Sequence, residues 1–231
     1  MTIAIDYTAP PESVAQNIVK IQVADLMRRL GNMMSDQDKV RWTEDERIDW
    51  FNDAAREIVL RRPAARAVTK LVALEAGTYQ QAPQGTSQLL NVVRNIKPDG
   101  KPGRAIRITD MQQIDAVDPD WHNARAGETR HFMIDERSPT TFYVYPPAVE
   151  GALVEAMLAA PPPEVKTVED AIDLRVEFMG AILNWAMYRC HTKDSEYAQG
   201  ATAALHYQAF TDAIGAPAQA AQVNSATGNS V

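Results

Sequence analysis

Asp118, Asp120, His122 and His131 come closest in this sequence to a metal-binding set, with oxygen and nitrogen donors gathered in one short segment. A hydrolytic centre would need three of them to converge on one ion and leave a coordination position open. The spacing argues against it. Asp118-Pro119-Asp120 reads as a turn, and Trp121-His122 as a packed aromatic pair at its edge. There is no HExxH and no paired-histidine helix signature. Cys190 and His191 are adjacent, and neighbours on a helix point in different directions, so they do not form a catalytic pair. No GxSxG and no dinucleotide or Walker glycine spacing occurs. No catalytic residue, metal or cofactor is expected, and the chain reads as a non-enzyme.

A second constellation is basic. Arg94, Lys97, Lys101, Arg104 and Arg107 gather around the Pro98-Asp99-Gly100 turn. No aromatic interleaving supports base stacking, and the turn lacks the spacing of a phosphate cradle. Solvated charge, or ion pairs to an acidic neighbour, is the leading reading; a face toward DNA in a channel, or toward a partner, is the alternative. The formal net charge of -7 disfavours a dedicated nucleic-acid binder. With 45% hydrophobic and 23% charged residues, the composition is that of an ordinary globular protein. The single cysteine, Cys190, excludes an internal disulfide and a multi-cysteine zinc site. No apolar run is long enough to cross a bilayer, and MTIAIDYTAPPE is not a signal peptide. No membrane association and use within the cytoplasm, or within something assembled there, are expected.

Caps and periodicity predict four helices. The first starts at Ser13 with Gln16 in the capping-box position, carries Ala15, Val19, Val23, Leu26, Met27 and Leu30, widened by Ile18 and Ile21, and stops at Gly31-Asn32. The second has Thr43 and Glu46 as a capping box, buries Ile48, Phe51, Ala55, Ile58 and Val59, and ends at Pro63. The third starts near Thr167, with Asp170 three residues on, and runs through Ile172, Val176, Met179, Ile182, Leu183, Ala186 and Met187. The fourth starts near Asp194 or Ser195, carries Tyr197, Ala201, Ala204, Leu205 and Ile214, and ends at Gly215.

Between Pro63 and Thr167 the apolar runs shorten. Strands are predicted at Val68–Glu75, Leu89–Asn95, Ala105–Thr109, His131–Asp135, Thr141–Tyr145 and Leu153–Ala159. The clearest unit is a hairpin in which Phe132 and Ile134 alternate on one arm and Phe142 and Val144 on the other. A short helix, Met111–Val117, is capped by Asp110. The expected fold is therefore α+β but mainly α, a four-helix body with a β-rich insertion between helices 2 and 3. Its parts are a leader (1–12), a helical bundle (13–63 and 167–215), the insertion (64–166) and a polar, extended tail (216–231).

Several blocks resemble the head-to-tail adaptor, or connector, proteins of tailed bacteriophages: RWTEDERIDWFNDAAREIVLRRP (Arg41–Pro63), NVVRNIKPDGKPGRAIRITD (Asn91–Asp110), DPDWH (Asp118–His122), HFMIDERSPTTFYVYPP (His131–Pro147) and YRCHTKDSEYAQGATAALHYQAF (Tyr188–Phe210). The hairpin and the last block are the most specific. The resemblance implies a structural protein of the virion neck, assembled as a ring of about twelve copies below the portal. Such a ring extends the DNA channel, with genomic DNA close by, and joins the tail or nozzle protein. It also implies that the carboxy-terminal segment reaches the portal. Trp50, Trp185, Tyr207, Phe210 and Ile214 are the expected ring or portal anchors, with the monomer core as their other role. Ala216, Gln219, Val223 and Val231 are the expected portal contacts of the tail. The competing readings are another neck or tail-completion protein, such as a stopper or terminator, and a metal-dependent enzyme using Asp118 to His131.

Overall fold

The computed structural model describes residues 19–135, 137–193 and 200–227, with the side chains of the final helix as far as Gly215. In chain order the elements are β1 (Lys20–Gln22), α1 (Val23–Met34), α2 (Glu44–Arg61), β2 (Ala67–Ala73), β3 (Gly77–Gln81), β4 (Gln88–Ile96), β5 (Pro102–Ala105) and β6 (Arg107–Ile108). They continue with α3 (Met111–Val117), β7 (His131–Ile134), β8 (Thr141–Ala148), β9 (Leu153–Ala159), β10 (Ala171–Arg175), α4 (Met179–Lys193) and α5 (Gly200–Thr227). Among the described residues there are five helices and ten strands in three sheets, 41% helical and 28% strand, which corrects the expectation of a mainly helical four-helix body. The strands missed by that expectation are short, and two of them, β1 and β10, lie within stretches read as the first and third helices.

Ala67–Ala160 forms one compact unit; the described parts of Ile18–Arg66 and Pro161–Val231 form another. In the first, two four-stranded sheets, ordered β2-β9-β4-β5 and β3-β8-β7-β6, supply one core. Val154, Ala156 and Leu158 alternate inward on β9, and Phe142 and Val144 on β8. This period of two is what a strand covered on one face produces. The β7–β8 hairpin pairs Phe132 with Val144 and Ile134 with Phe142, in the register its alternation predicts. β8 continues through Pro146-Pro147, where the expected strand stopped at Tyr145. The β3–β8 ladder shifts register between Gly77 and Tyr79, so the two missing N–H donors fall at an irregularity. Ala105–Thr109, expected as one strand, is split by the buried Ile106 into β5 and β6. Gly100, at φ 77, supplies the left-handed residue of the turn between β4 and β5.

The second unit packs α1, α2, α4 and α5 with the antiparallel β1–β10 pair around one core. The capping box of Thr43 and Glu46 opens α2 as predicted. Helix α1 begins only at Val23, because Lys20–Gln22 pairs with β10 as a strand. Ser13, Ala15, Gln16 and Ile18 lie outside the described residues. The helix passes Gly31-Asn32 and ends at Ser35, whose φ of 52 is left-handed. Ser35 N donates to Asn32 O and Asp36 N to Gly31 O, which closes a Schellman motif. The third predicted helix begins later than expected. Thr167 to Asp170 is a turn in which the Asp170 carboxylate accepts from the N–H groups of Lys166 and Thr167. The Ala171–Arg175 strand then buries Ile172 and Leu174, and α4 starts only at Met179. Asp194, Ser195 and Tyr197 lie outside the described residues. Helix α5 runs past Gly215 to Thr227, so the backbone of 216–227 is helical, where an extended tail was expected.

Candidate assembly surfaces

The aromatic residues singled out from the sequence converge between α4 and α5. The ring pairs are Trp185–Phe210 at 4.9 Å, Tyr188–Tyr207 at 5.3 Å and His191–His206 at 5.7 Å. Numbers rise along one helix as they fall along the other, so the pair is antiparallel. Phe210 and Ile214 are buried in the core of this unit, and so is Trp50 on α2. Trp185 packs against the same core, and its Nε1 is buried with no hydrogen-bond partner among the described residues. Tyr207 stays 37% exposed. Its hydroxyl accepts from Arg61 Nη2 at 2.9 Å, and the Arg61 guanidinium lies 5.6 Å from the ring centroids of both Tyr207 and Phe210. A guanidinium over aromatic faces, with the tyrosine edge open, is a common composition at protein interfaces. Ala216, Gln219 and Val223 lie on the helical backbone of α5, and Val231 is outside the described residues.

The connection from α1 to α2 holds a charged group that sequence reasoning missed. Arg47 is 1% exposed. Its Nε donates to Trp42 O at 3.1 Å, and its Nη2 donates to Asp36 O at 2.7 Å and Asp36 Oδ2 at 2.5 Å. The Asp36 carboxylate also accepts from the backbone N–H groups of Val40, Arg41 and Trp42. Burial works against its charge, but these N–H groups and Arg47 outweigh it and hold the carboxyl below the usual aspartate range. Only the capping chemistry of Thr43 hinted that this loop was ordered.

The basic residues lie in the other unit. Arg94 on β4 pairs with Glu155 on β9 at 2.8 Å, and Lys101 lies 3.4 Å from Asp99. Lys97 is exposed beside the turn, and Arg104 and Arg107 are exposed on β5 and β6. Arg130, which the sequence did not single out, joins them: its carbonyl accepts from Arg107 N at 3.0 Å. Asn95 holds this corner together, with its Nδ2 donating to Arg104 O at 3.0 Å and to Thr129 O at 2.7 Å. His131 sits opposite Arg107 in the β6–β7 register. Burial, then the charges of Arg107, Arg104 and Arg130, push its pKa down.

Of the donors considered for a metal, Asp120 Oδ1 accepts from Asn123 Nδ2 at 2.6 Å and His122 is engaged with β3. His122 Nδ1 is 2.8 Å from Thr78 Oγ1, and its ring stacks on Trp121 at 3.8 Å. Trp121 Nε1 donates to Asp115 at 2.8 Å. Among the described residues no three His, Cys, Asp or Glu side chains are placed to share an ion. The Cys190 thiol is buried, which pushes its pKa up to about 12. No described helix is long and apolar enough to cross a membrane.

No curated protein matches the sequence. A family model described as SU10 adaptor protein matches residues 21–230, nearly the whole chain and both compact units. The protein therefore belongs to the SU10 adaptor family, a family of phage head-to-tail adaptors.

Proposed function

We propose that this protein forms a ring of about twelve copies below the phage portal, where it extends the DNA channel and receives the tail or nozzle protein. Membership of a structural adaptor family over residues 21–230 carries this reading. The role is mechanical: the residues bind and position neighbours and transform no substrate. In the virion neck, Tyr207 and the polar rim of the α4–α5 pair supply side chains for a subunit or portal contact, while Trp50, Phe210 and Ile214 hold the unit that presents them. Residues 216–231 dock on the portal, with the helical backbone to Thr227 as the element that does so. Assembly takes place in the host cytoplasm and the product is part of the virion.

Electron microscopy of the purified protein mixed with portal tests this directly. A ring of density added coaxially to the portal is the expected result. Portals that remain bare under conditions where the protein is folded would overturn the reading.

A further inference from the structure

Exposed charges gather in excess of opposite sign on the two sides of the β3-β8-β7-β6 sheet. At the β6 edge, Arg107 and Arg130 are exposed, and Arg104 is exposed close by on β5 of the other sheet; none of the three makes an ion pair among the described residues, and they outnumber the nearby acids Asp110 and Glu128. The Asn95 side chain, donating to Arg104 O, and the backbone bond from Arg107 N to Arg130 O tie these segments together. Ile108, next along that strand, is 65% exposed.

At the β3 edge the charge is negative. Asp118 and Asp120 lead into Trp121-His122, and the bond from His122 to Thr78 pins that segment to β3. Glu75 precedes β3, and Glu150 reaches the same end, its carboxylate accepting from Ala76 N at 2.8 Å. None of these four acids has an ion-pair partner among the described residues. Tyr79, on β3 itself, is 51% exposed. Two strands, β8 and β7, separate β3 from β6 by about 14 Å, and among the described residues no ion pair joins the two sets of charges.

We propose that the β6 edge of one copy docks on the β3 edge of the next, a head-to-tail contact between Arg104, Arg107 and Arg130 and the carboxylates of Glu75, Asp118, Asp120 and Glu150. The proposal rests on the ring reading and names the faces that build it. A second copy is favoured over DNA because one molecule carries both complementary edges, whereas a polyanion would leave the exposed acidic edge without a partner. A contact between unlike faces also propagates, as a ring requires. β6 is only two residues long, so side chains carry the contact and strand addition does not.

Disulfide trapping tests the pairing. Cys190 is buried and its thiol pKa is about 12, so cysteines introduced at the surface are the ones that react. Arg107→Cys and Asp120→Cys are made as separate proteins, checked for native circular dichroism, mixed and mildly oxidised. The expected result is a several-fold excess of the mixed disulfide over either homodimer, lost at high salt. A statistical mixture of the three dimers would overturn the proposal, as would loss of the mixed disulfide on adding duplex DNA at low salt, which would assign the basic edge to nucleic acid. Microscopy on the portal separates the two readings: rings without preferential cross-linking leave the ring standing with other faces, and bare portals remove the ring itself.

Discussion

At the scale of single residues, Arg47 is the most deeply buried charge among the described residues. Arg47 falls in a run of charged residues, and a charge in such a run is ordinarily solvated. Here it is enclosed because Asp36 and two backbone carbonyls satisfy it. Removing one member of a buried pair strands the other. Arg47→Ala is therefore expected to destabilise the protein by about 3–5 kcal/mol, read from the denaturant midpoint. The acid response has a definite sign. The folded Asp36 carboxyl titrates below its unfolded value, so its contribution is complete above the unfolded aspartate pKa and is lost as pH falls through the folded one. Asp36→Asn should lower stability at neutral pH and flatten the acid limb of the stability curve; an unchanged acid limb would count against this account. Tyr207 and Phe210 separate by burial. Phe210→Ala should cost about 3–5 kcal/mol by emptying a core position. Tyr207→Ala should leave the circular dichroism intact and weaken attachment to portals, and unchanged attachment would remove it from the interface.

Elements were legible where local chemistry and long-range packing agree. The capping box of α2, the Asp110 cap of α3 and the alternation of the β7–β8 hairpin all appear where the sequence placed them. The failures share a physical cause. Lys20–Gln22 and Ala171–Arg175 are short, and each is a strand only because it pairs with the other, about 150 residues away. Nothing local in KIQ or AIDLR signals that pairing, and Asp170 satisfies a turn with the same side-chain chemistry that caps a helix. Gly215 misled in the opposite direction, since glycine commonly follows the last helical residue. The backbone continues through it, and a Cβ added there would meet no atom within 4 Å. Gly215→Ala is accordingly expected to stabilise by about 1 kcal/mol and to raise the helical signal. Had Gly215 been a left-handed stop, the same substitution would destabilise, so a melting curve distinguishes the two.

For the whole molecule, the proposed contact between sheet edges implies that copies would close a ring only on a portal. Exposed ion pairs are each worth only about 0.2–1 kcal/mol, and the edges proposed to meet are exposed on both sides. A few such contacts do not offset the loss of translational and rotational freedom on association. A free copy should therefore sediment as a monomer over an ordinary concentration range. In the proposed assembly, neighbours bound side by side on a portal would face each other at a high effective concentration, and the same weak edges would then close the circle. Screening gives this scheme a distinctive signature. Raising the ionic strength shortens the reach of the exposed charges and leaves the enclosed Asp36–Arg47 pair and the two apolar cores nearly untouched. Salt should then reduce the number of copies per portal while the unfolding temperature barely moves, as measured by microscopy and calorimetry on the same samples. Stable rings formed by the protein alone, or occupancy insensitive to salt, would mean that apolar surface rather than the charged sheet edges drives assembly.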